Sequence, residues 1–137
     1  MDTIYTFSDE RIAQLHSLFR HAWWAKERTL EETILCVKGS QLCVGIIDDQ
    51  NHLVGFARVL SDYLFKALIF DVIVCPTQRG SGLGKQLITA IQTHEALSSV
   101  KTFELYCLPE MDSFYAQLGF SPEVGGVHLI RKVNDSY

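Results

Sequence analysis

At 137 residues, 47% hydrophobic and 20% charged, the chain is long enough for one self-supporting core and too short for two. A net charge of −4 disfavours nucleic acid, whose phosphates are bound by Lys and Arg. No apolar run approaches the roughly 20 residues that cross a bilayer, and the start, Met1-Asp2-Thr3-Ile4-Tyr5, lacks a basic region followed by an apolar stretch, so a cytoplasmic protein is expected.

In chain order, Ile4 to Phe7 reads as a short strand. Ser8 or Asp9 then caps a helix whose apolar positions are Ile12, Leu15, Leu18 and Phe19. A second helix begins near Thr29, where Thr29-Leu30-Glu31-Glu32 has the form of a capping box, and Gly39 ends it. Leu42 to Ile47 and Leu53 to Leu60 read as a hairpin about the turn Asp48-Asp49-Gln50-Asn51. Ala67 to Val74 is nearly continuously apolar, as a strand covered on both faces should be. Gly82 to Leu97 is helical by the stripe Leu83, Leu87, Ile88 and Ile91. Lys101 to Tyr106 is a strand, Met111 to Leu118 a short helix and Val127 to Lys132 a last strand. The expectation is one mixed α/β domain over 1–137.

Cys36, Cys43, Cys75 and Cys107 form no C-x-x-C pair or zinc-type cluster, and three of them lie in apolar runs, so free buried thiols are expected. The five histidines are scattered, and no metal is expected.

The segment from Phe70 to Lys85 joins an apolar strand to an amphipathic helix through Arg79-Gly80-Ser81-Gly82-Leu83-Gly84-Lys85. Glycines let the backbone approach a ligand, and the first turn of the helix offers free N–H groups and a positive dipole end. With Arg79 and Lys85 beside it, the loop reads as an anion site for a phosphorylated cofactor. A P-loop is excluded: Arg79 stands where its first glycine belongs and Gln86 where its Ser or Thr belongs. A dinucleotide fingerprint fails at Lys85, where its third glycine should be, and comes too late in the chain.

Arg79-x-x-Gly82-x-Gly84 resembles the [Gln/Arg]-x-x-Gly-x-[Gly/Ala] signature of the GCN5-related N-acetyltransferases, the GNAT superfamily. The order strand-helix-helix-strand-strand-strand-helix-strand-helix-strand is similar to that fold over nearly the whole chain. The resemblance implies an acetyl-CoA-dependent N-acetyltransferase without a metal, moving acetyl directly from the thioester to a primary amine of a small molecule or protein. By motif alignment, Val72, Ile73 and Val74 would pair with the pantetheine arm, while Arg79, Gly80, Ser81, Gly82, Leu83, Gly84 and Lys85 would hold the pyrophosphate. Phe114-Tyr115-Ala116-Gln117-Leu118-Gly119-Phe120 resembles the Phe-Tyr-x-x-x-Gly-Phe ending of the family's last helix, which makes Tyr115 the candidate general acid. The family's Asn-x-x-Ala pair is missing upstream, where Leu108-Pro109-Glu110-Met111 stand. Cys107 is expected as a packed strand-end residue and not a nucleophile.

Asp71 on the central strand is the first base candidate and Glu104 the second, each set against an ordinary salt-bridged strand charge. On the acceptor side, Trp24, Arg58 and Asp62 are the candidate binding residues, and Trp23, Lys26, Arg28, Phe56, Tyr63 and Phe65 lie in the same region. Trp24-Ala25-Lys26-Glu27-Arg28 together with Val54-Gly55-Phe56-Ala57-Arg58 resembles a subgroup of small bacterial GNAT proteins with no single acceptor. Neither nucleic acid nor membrane is expected as a partner, and a homodimer is suggested by analogy. A CoA-binding regulatory module that has lost turnover remains the alternative.

Overall fold

The computed structural model describes residues 1–134. The chain divides into two compact units, one over Met1–Tyr106 and a second beginning at Cys107. In the first unit five strands, β1 (Asp2–Ile4), β2 (Leu42–Ile47), β3 (Leu53–Ser61), β4 (Lys66–Val74) and β5 (Thr102–Leu105), form one sheet in the order β1-β2-β3-β4-β5. Every neighbouring pair is antiparallel except β4 and β5, which are parallel. The parallel pair needs a crossover, and helix α3 (Leu83–Gln92) supplies it.

Helices α1 (Asp9–Phe19) and α2 (Leu30–Lys38) precede the hairpin. Ser8 caps α1, its hydroxyl accepting from the Arg11 amide at 3.2 Å. Thr29 and Glu32 complete the expected capping box, with bonds of 3.1 and 2.9 Å. Such caps contribute about 1 kcal/mol each by satisfying amides that the helix leaves free.

The sheet is covered on both faces because successive strand residues point opposite ways. Phe56 turns toward α1, where its ring meets Phe19 edge-on at 5.8 Å, in a cluster with Leu15, Leu18, Ala22, Cys43 and Ile73. Its neighbour Gly55 faces α3, and a Cβ there would stand 3.5 Å from Leu87. Leu83, Leu87, Ile88 and Ile91 are buried along α3 as its periodicity requires.

Three boundaries differ from expectation. The first strand lies at Asp2–Ile4, ahead of the range read from sequence. The helix expected to reach Leu97 stops at Gln92: the Thr93 hydroxyl donates to the Thr89 carbonyl, and the His94 side chain accepts from the Ala96 amide to start a single 3-10 turn. In the second unit, Pro109 opens a 3-10 turn, and helix α4 is confined to Asp112–Ala116.

The strand expected over 127–132 does not form. Alternating apolar residues supply a face, but a strand also requires its backbone to pair, and residues 127–132 belong to no helix or strand.

Candidate active site

Beyond β4 the chain makes a 3-10 turn at Pro76–Gln78 and enters the glycine loop. The Ser81 hydroxyl donates to the Gln78 carbonyl and folds the loop back on that turn. Gly80 and Gly82 have φ of +85° and +84°, and a Cβ at either would meet nothing within 4 Å. The glycines are therefore required by backbone conformation, and the space above them is open. Gly82 caps α3 without any side-chain hydrogen bond, and the first backbone amide returned to the helix is that of Gln86, to the Gly82 carbonyl at 3.0 Å. The amides of Leu83, Gly84 and Lys85 are thus left pointing outward at the positive end of the dipole. Arg79 and Lys85 are exposed beside them. A set of free amides, two cations and no carboxylate fits a diphosphate. A shallow hollow adjoins the loop at Gly82 and Lys85, lined also by Thr3, Gln86, Thr89 and Ala90, and includes no residue of β4.

The strand leading into this loop is half-paired. Pairing of β4 with β5 ends at Ile69 opposite Leu105, whereas β4 runs on to Val74. Among the described residues no strand pairs with this edge of β4 from Phe70 to Val74, and Val72 and Val74 are half-buried while Ile73 is in the core. On the other edge the register slips: Phe56 faces Ile73 but Arg58 faces Phe70, so Asp71 and Val72 together oppose Ala57. Asp71 takes φ of +57° to make this bulge, a conformation that Asp tolerates better than most side chains.

Asp71 is committed to two arginines. Arg28, in the connection between α1 and α2, donates both terminal nitrogens to its two oxygens at 2.7 and 3.1 Å. Arg58 donates Nε at 2.7 Å, and the Cys36 thiol lies 3.7 Å away. The Asp71 side chain is only 7% exposed, against 28% for Arg28 and 17% for Arg58. Burial raises its pKa, but the hydrogen bonds and charges of the two guanidiniums outweigh that and hold it below the usual carboxylate range. A carboxylate so held is a poor proton acceptor. The environment is that of a salt-bridged strand charge, and it argues against Asp71 as the base. Arg28 also lies over the rings of Phe19 and Trp24, at 4.8 and 5.4 Å, and Arg58 over Phe70 at 5.2 Å.

The other acceptor-side candidates separate. Trp24 joins the Asp71 cluster through Arg28, and Arg58 belongs to it directly. Asp62 does not: one carboxylate oxygen accepts from the amides of Leu64, Phe65 and Lys66, which shapes the turn before β4, and these bonds lower its pKa. Glu104 pairs with Lys66 at 2.9 Å, both well exposed. Cysteine exposure also departs from expectation, since only Cys43 is buried and Cys107 is exposed, its thiol 3.6 Å from Asp112. Among the described residues no group of three or more His, Cys, Asp or Glu is placed to hold a metal ion.

In the second unit, Tyr115 is the buried residue of α4, its ring edge-on to Phe114 at 4.9 Å and to Phe120 at 5.8 Å. Gly119, with φ of +93°, reverses the chain so that the Phe120 amide can return to the Tyr115 carbonyl at 3.1 Å. Burial, and then the neighbouring Cys107, push the phenol up to about 12.

Sequence reasoning left Arg28 in the acceptor region without a partner. A signal was available: Asp71 is the one carboxylate inside the nearly continuous apolar run of β4, and a charge in such a run needs a cation.

Comparison with known proteins decides the family. Residues 38–122 match the model of the acetyltransferase (GNAT) domain. The chain belongs to the GNAT family. As a GNAT protein it is an acetyl-CoA-dependent N-acetyltransferase. It is 35% identical over 129 residues to the uncharacterized N-acetyltransferase ycf52 of Pyropia yezoensis, covering 90% of this chain and 74% of that protein. Histone acetyltransferase TAP1 of Glycine max is 35% identical over 80 residues, which span 58% of this chain and 35% of that protein. A solved GNAT-family structure from Xanthomonas campestris superposes with a TM-score of 0.80 at 29% identity, covering 98% of this chain and 94% of that one. The same GNAT architecture is found at 17% identity and a TM-score of 0.76 in AAC(6')-Iy, solved with a CoA-containing bisubstrate analogue; the match covers 97% of this chain and 98% of that one. Among the described residues no helix is long and apolar enough to cross a membrane.

Proposed function

We propose that this GNAT enzyme holds acetyl-CoA on the Arg79–Lys85 loop and along the open edge of β4, and transfers acetyl directly to a primary amine of a small molecule or protein. The observation that carries this reading is the start of α3, without a side-chain cap, reached through the glycine loop from a strand whose edge has no partner strand from Phe70 to Val74 among the described residues. Amides from Gly80 to Lys85, with Arg79 and Lys85, would take the pyrophosphate oxygens. Backbone groups of Val72, Ile73 and Val74 would pair with the pantetheine amides as a neighbouring strand does, and one N–H there would hold the carbonyl oxygen as negative charge develops on it.

In the transfer the amine nitrogen bonds to the thioester carbon, the carbon–sulfur bond breaks, and the sulfur leaves as thiolate. Tyr115 stays protonated throughout the physiological range, since its phenol is held at about 12. Its hydroxyl would donate to the departing sulfur. Asp71 positions the site by pinning Arg28 and Arg58 at the β4 bulge, and the amine's proton would leave through solvent. The region of Trp24 and Arg58 is the proposed acceptor side, and both units are proposed to serve one N-acetyltransferase domain. Free thiols at all four cysteines favour a reducing compartment such as the cytoplasm.

A second reading, a CoA-binding module with weak turnover, draws on one observation: neither Asp71 nor Glu104 is a free carboxylate. Thermal unfolding with saturating acetyl-CoA, with ATP and NAD as controls, tests the donor site. Ligand at about 100 times its dissociation constant stabilises a domain by roughly 2.7 kcal/mol, several degrees in midpoint. A shift with acetyl-CoA and none with the controls is expected, and no shift with acetyl-CoA would remove the proposed site. Thiol release on adding a panel of amines separates enzyme from module.

A further inference from the structure

The charges of the Arg28–Asp71–Arg58 cluster do not balance. Two guanidiniums, charged at every physiological pH, share one carboxylate, and Asp71 stays ionised between them. One positive charge is left over in a half-buried place. Glu32, the other carboxylate that acts on Arg28, is exposed and accepts from the Thr29 amide in the α2 cap. The chain as a whole carries −4, so the local surplus runs against its general charge. A partly buried charge without a counterion is costly, and an anion arriving there relieves the cost.

Donors are left over as well. Arg28 gives its two terminal nitrogens to Asp71, while Arg58 gives Nε to Asp71 and reaches the Ser40 hydroxyl from Nη1 at 3.4 Å. Arg28 Nε and Arg58 Nη2 have no acceptor among the described residues. No side-chain nitrogen sealed from water lacks a partner among those residues, so both of these reach solvent. Their surroundings are aromatic: Arg28 lies over Trp24, Arg58 over Phe70, and the Phe70 ring meets that of exposed Tyr106 at 5.9 Å. Spare guanidinium N–H groups beside aromatic faces suit a carboxylate or phosphate and repel a second cation. All of these residues lie in the first unit. Asp71 directly precedes Val72, about 3.3 Å along the strand, where the thioester arm is proposed to pair.

We propose that the acceptor of this enzyme is an amine that bears a carboxylate or phosphate within a few bonds of its nitrogen, and that Arg28 and Arg58 bind that anionic group. The inference rests on the reading of the glycine loop and β4 as the acetyl-CoA site, and it names the substrate class of that site. The bound anion neutralises the cluster and sets the amine beside Val72. Polyamines bring further positive charge to the surplus already present and are poor acceptors.

Matched amines test this: alanine and phenylalanine against their amides, O-phosphoethanolamine against ethanolamine, and spermidine as a polycation. Thiol release from acetyl-CoA gives kcat/KM, and calorimetric titration into enzyme saturated with CoA gives affinity where turnover is slow. In at least one pair the anionic member should lead by about 10- to 100-fold, the worth of a hydrogen bond to a charged group. The pair that shows the lead distinguishes carboxylate from phosphate. Arg28→Gln leaves Asp71 and Arg58 as a neutral pair, so the anionic-to-neutral ratio should fall toward one, whereas Arg28→Lys should keep part of it. A merely structural loss lowers both members alike and leaves the ratio unchanged. If acetyl-CoA raises the unfolding midpoint but the unmodified enzyme treats both members of every pair equally, or favours spermidine, the proposal is overturned and the acetyl-CoA site stands. No shift with acetyl-CoA overturns the site itself. The comparison on the unmodified enzyme decides even if a variant fails to fold.

Discussion

Arg28 grips both oxygens of Asp71, at 2.7 and 3.1 Å, and thereby ties the connection between α1 and α2 to the bulge of β4. Replacing the carboxylate leaves two guanidiniums against aromatic rings without their counterion. Asp71→Asn keeps a residue type that tolerates φ of +57°, so the loss is one of charge. Destabilisation of about 3 kcal/mol is expected, the low end for a buried pair losing one partner, since both arginines retain some water. Urea unfolding at neutral pH measures it.

The same group sets a pH dependence. Its pKa is depressed in the folded protein, so its contribution is fully present above the ordinary carboxylate value near ~4 and is lost as pH falls through the folded value. The stability difference between wild type and Asp71→Asn should therefore shrink on acidification below about pH 4. A difference that stayed constant down to about pH 2 would show that the carboxylate's charge is not what stabilises the bulge.

Gly82→Glu places a carboxylate at the start of α3, where φ is +84° and the dipole end is positive. Acetyl-CoA affinity should fall by about tenfold or more, from charge repulsion in the proposed cradle. Gly82→Ala separates backbone from charge. Its Cβ meets nothing within 4 Å, so it should cost about 1 kcal/mol of stability and leave most of the affinity. Equal affinity in wild type and the Glu variant, by titration calorimetry, would move the site elsewhere.

Tyr115→Phe should lower kcat by about 100-fold and leave acetyl-CoA binding nearly unchanged, the pattern of an interaction made in the transition state. With the phenol held at about 12, the wild-type rate should show no decline from tyrosine ionisation up to about pH 10. An unchanged kcat in the phenylalanine variant would leave Tyr115 as a packing residue between Phe114 and Phe120.

Leu87→Ala tests the α3 face of the core. Leu87 is fully buried above Gly55, which has no side chain to move into the space. A loss of about 3 kcal/mol is expected, with little change in affinity for acetyl-CoA at unit occupancy. Chemical denaturation of the two proteins decides it.

The parts of this fold that periodicity and caps control were legible in the sequence. Ser8 and Thr29 begin their helices where their oxygens predict, and the apolar run to Val74 is a strand, though only Ala67, Ile69 and Ile73 are buried and its other apolar residues are half-buried. What was hidden depends on contacts distant in sequence. The last strand looked secure by alternation, but strand formation requires a partner that alternation cannot name. Asp71 read as a base candidate because its two arginines stand 43 and 13 positions away. The glycine loop was readable because its signal is local: only Gly82 fits the left-handed cap that turns β4 into α3.

The early departure of β5 from β4 at Ile69 has a consequence for how this protein can change over time. Along Phe70–Val74 the open edge offers peptide groups, and every residue type carries the same ones. Side chains there are free to serve the core, so substitutions that preserve packing leave the edge chemically intact. A saturation-mutagenesis map of this strand would show the tolerance profile of buried hydrophobic positions, with no imprint of a ligand.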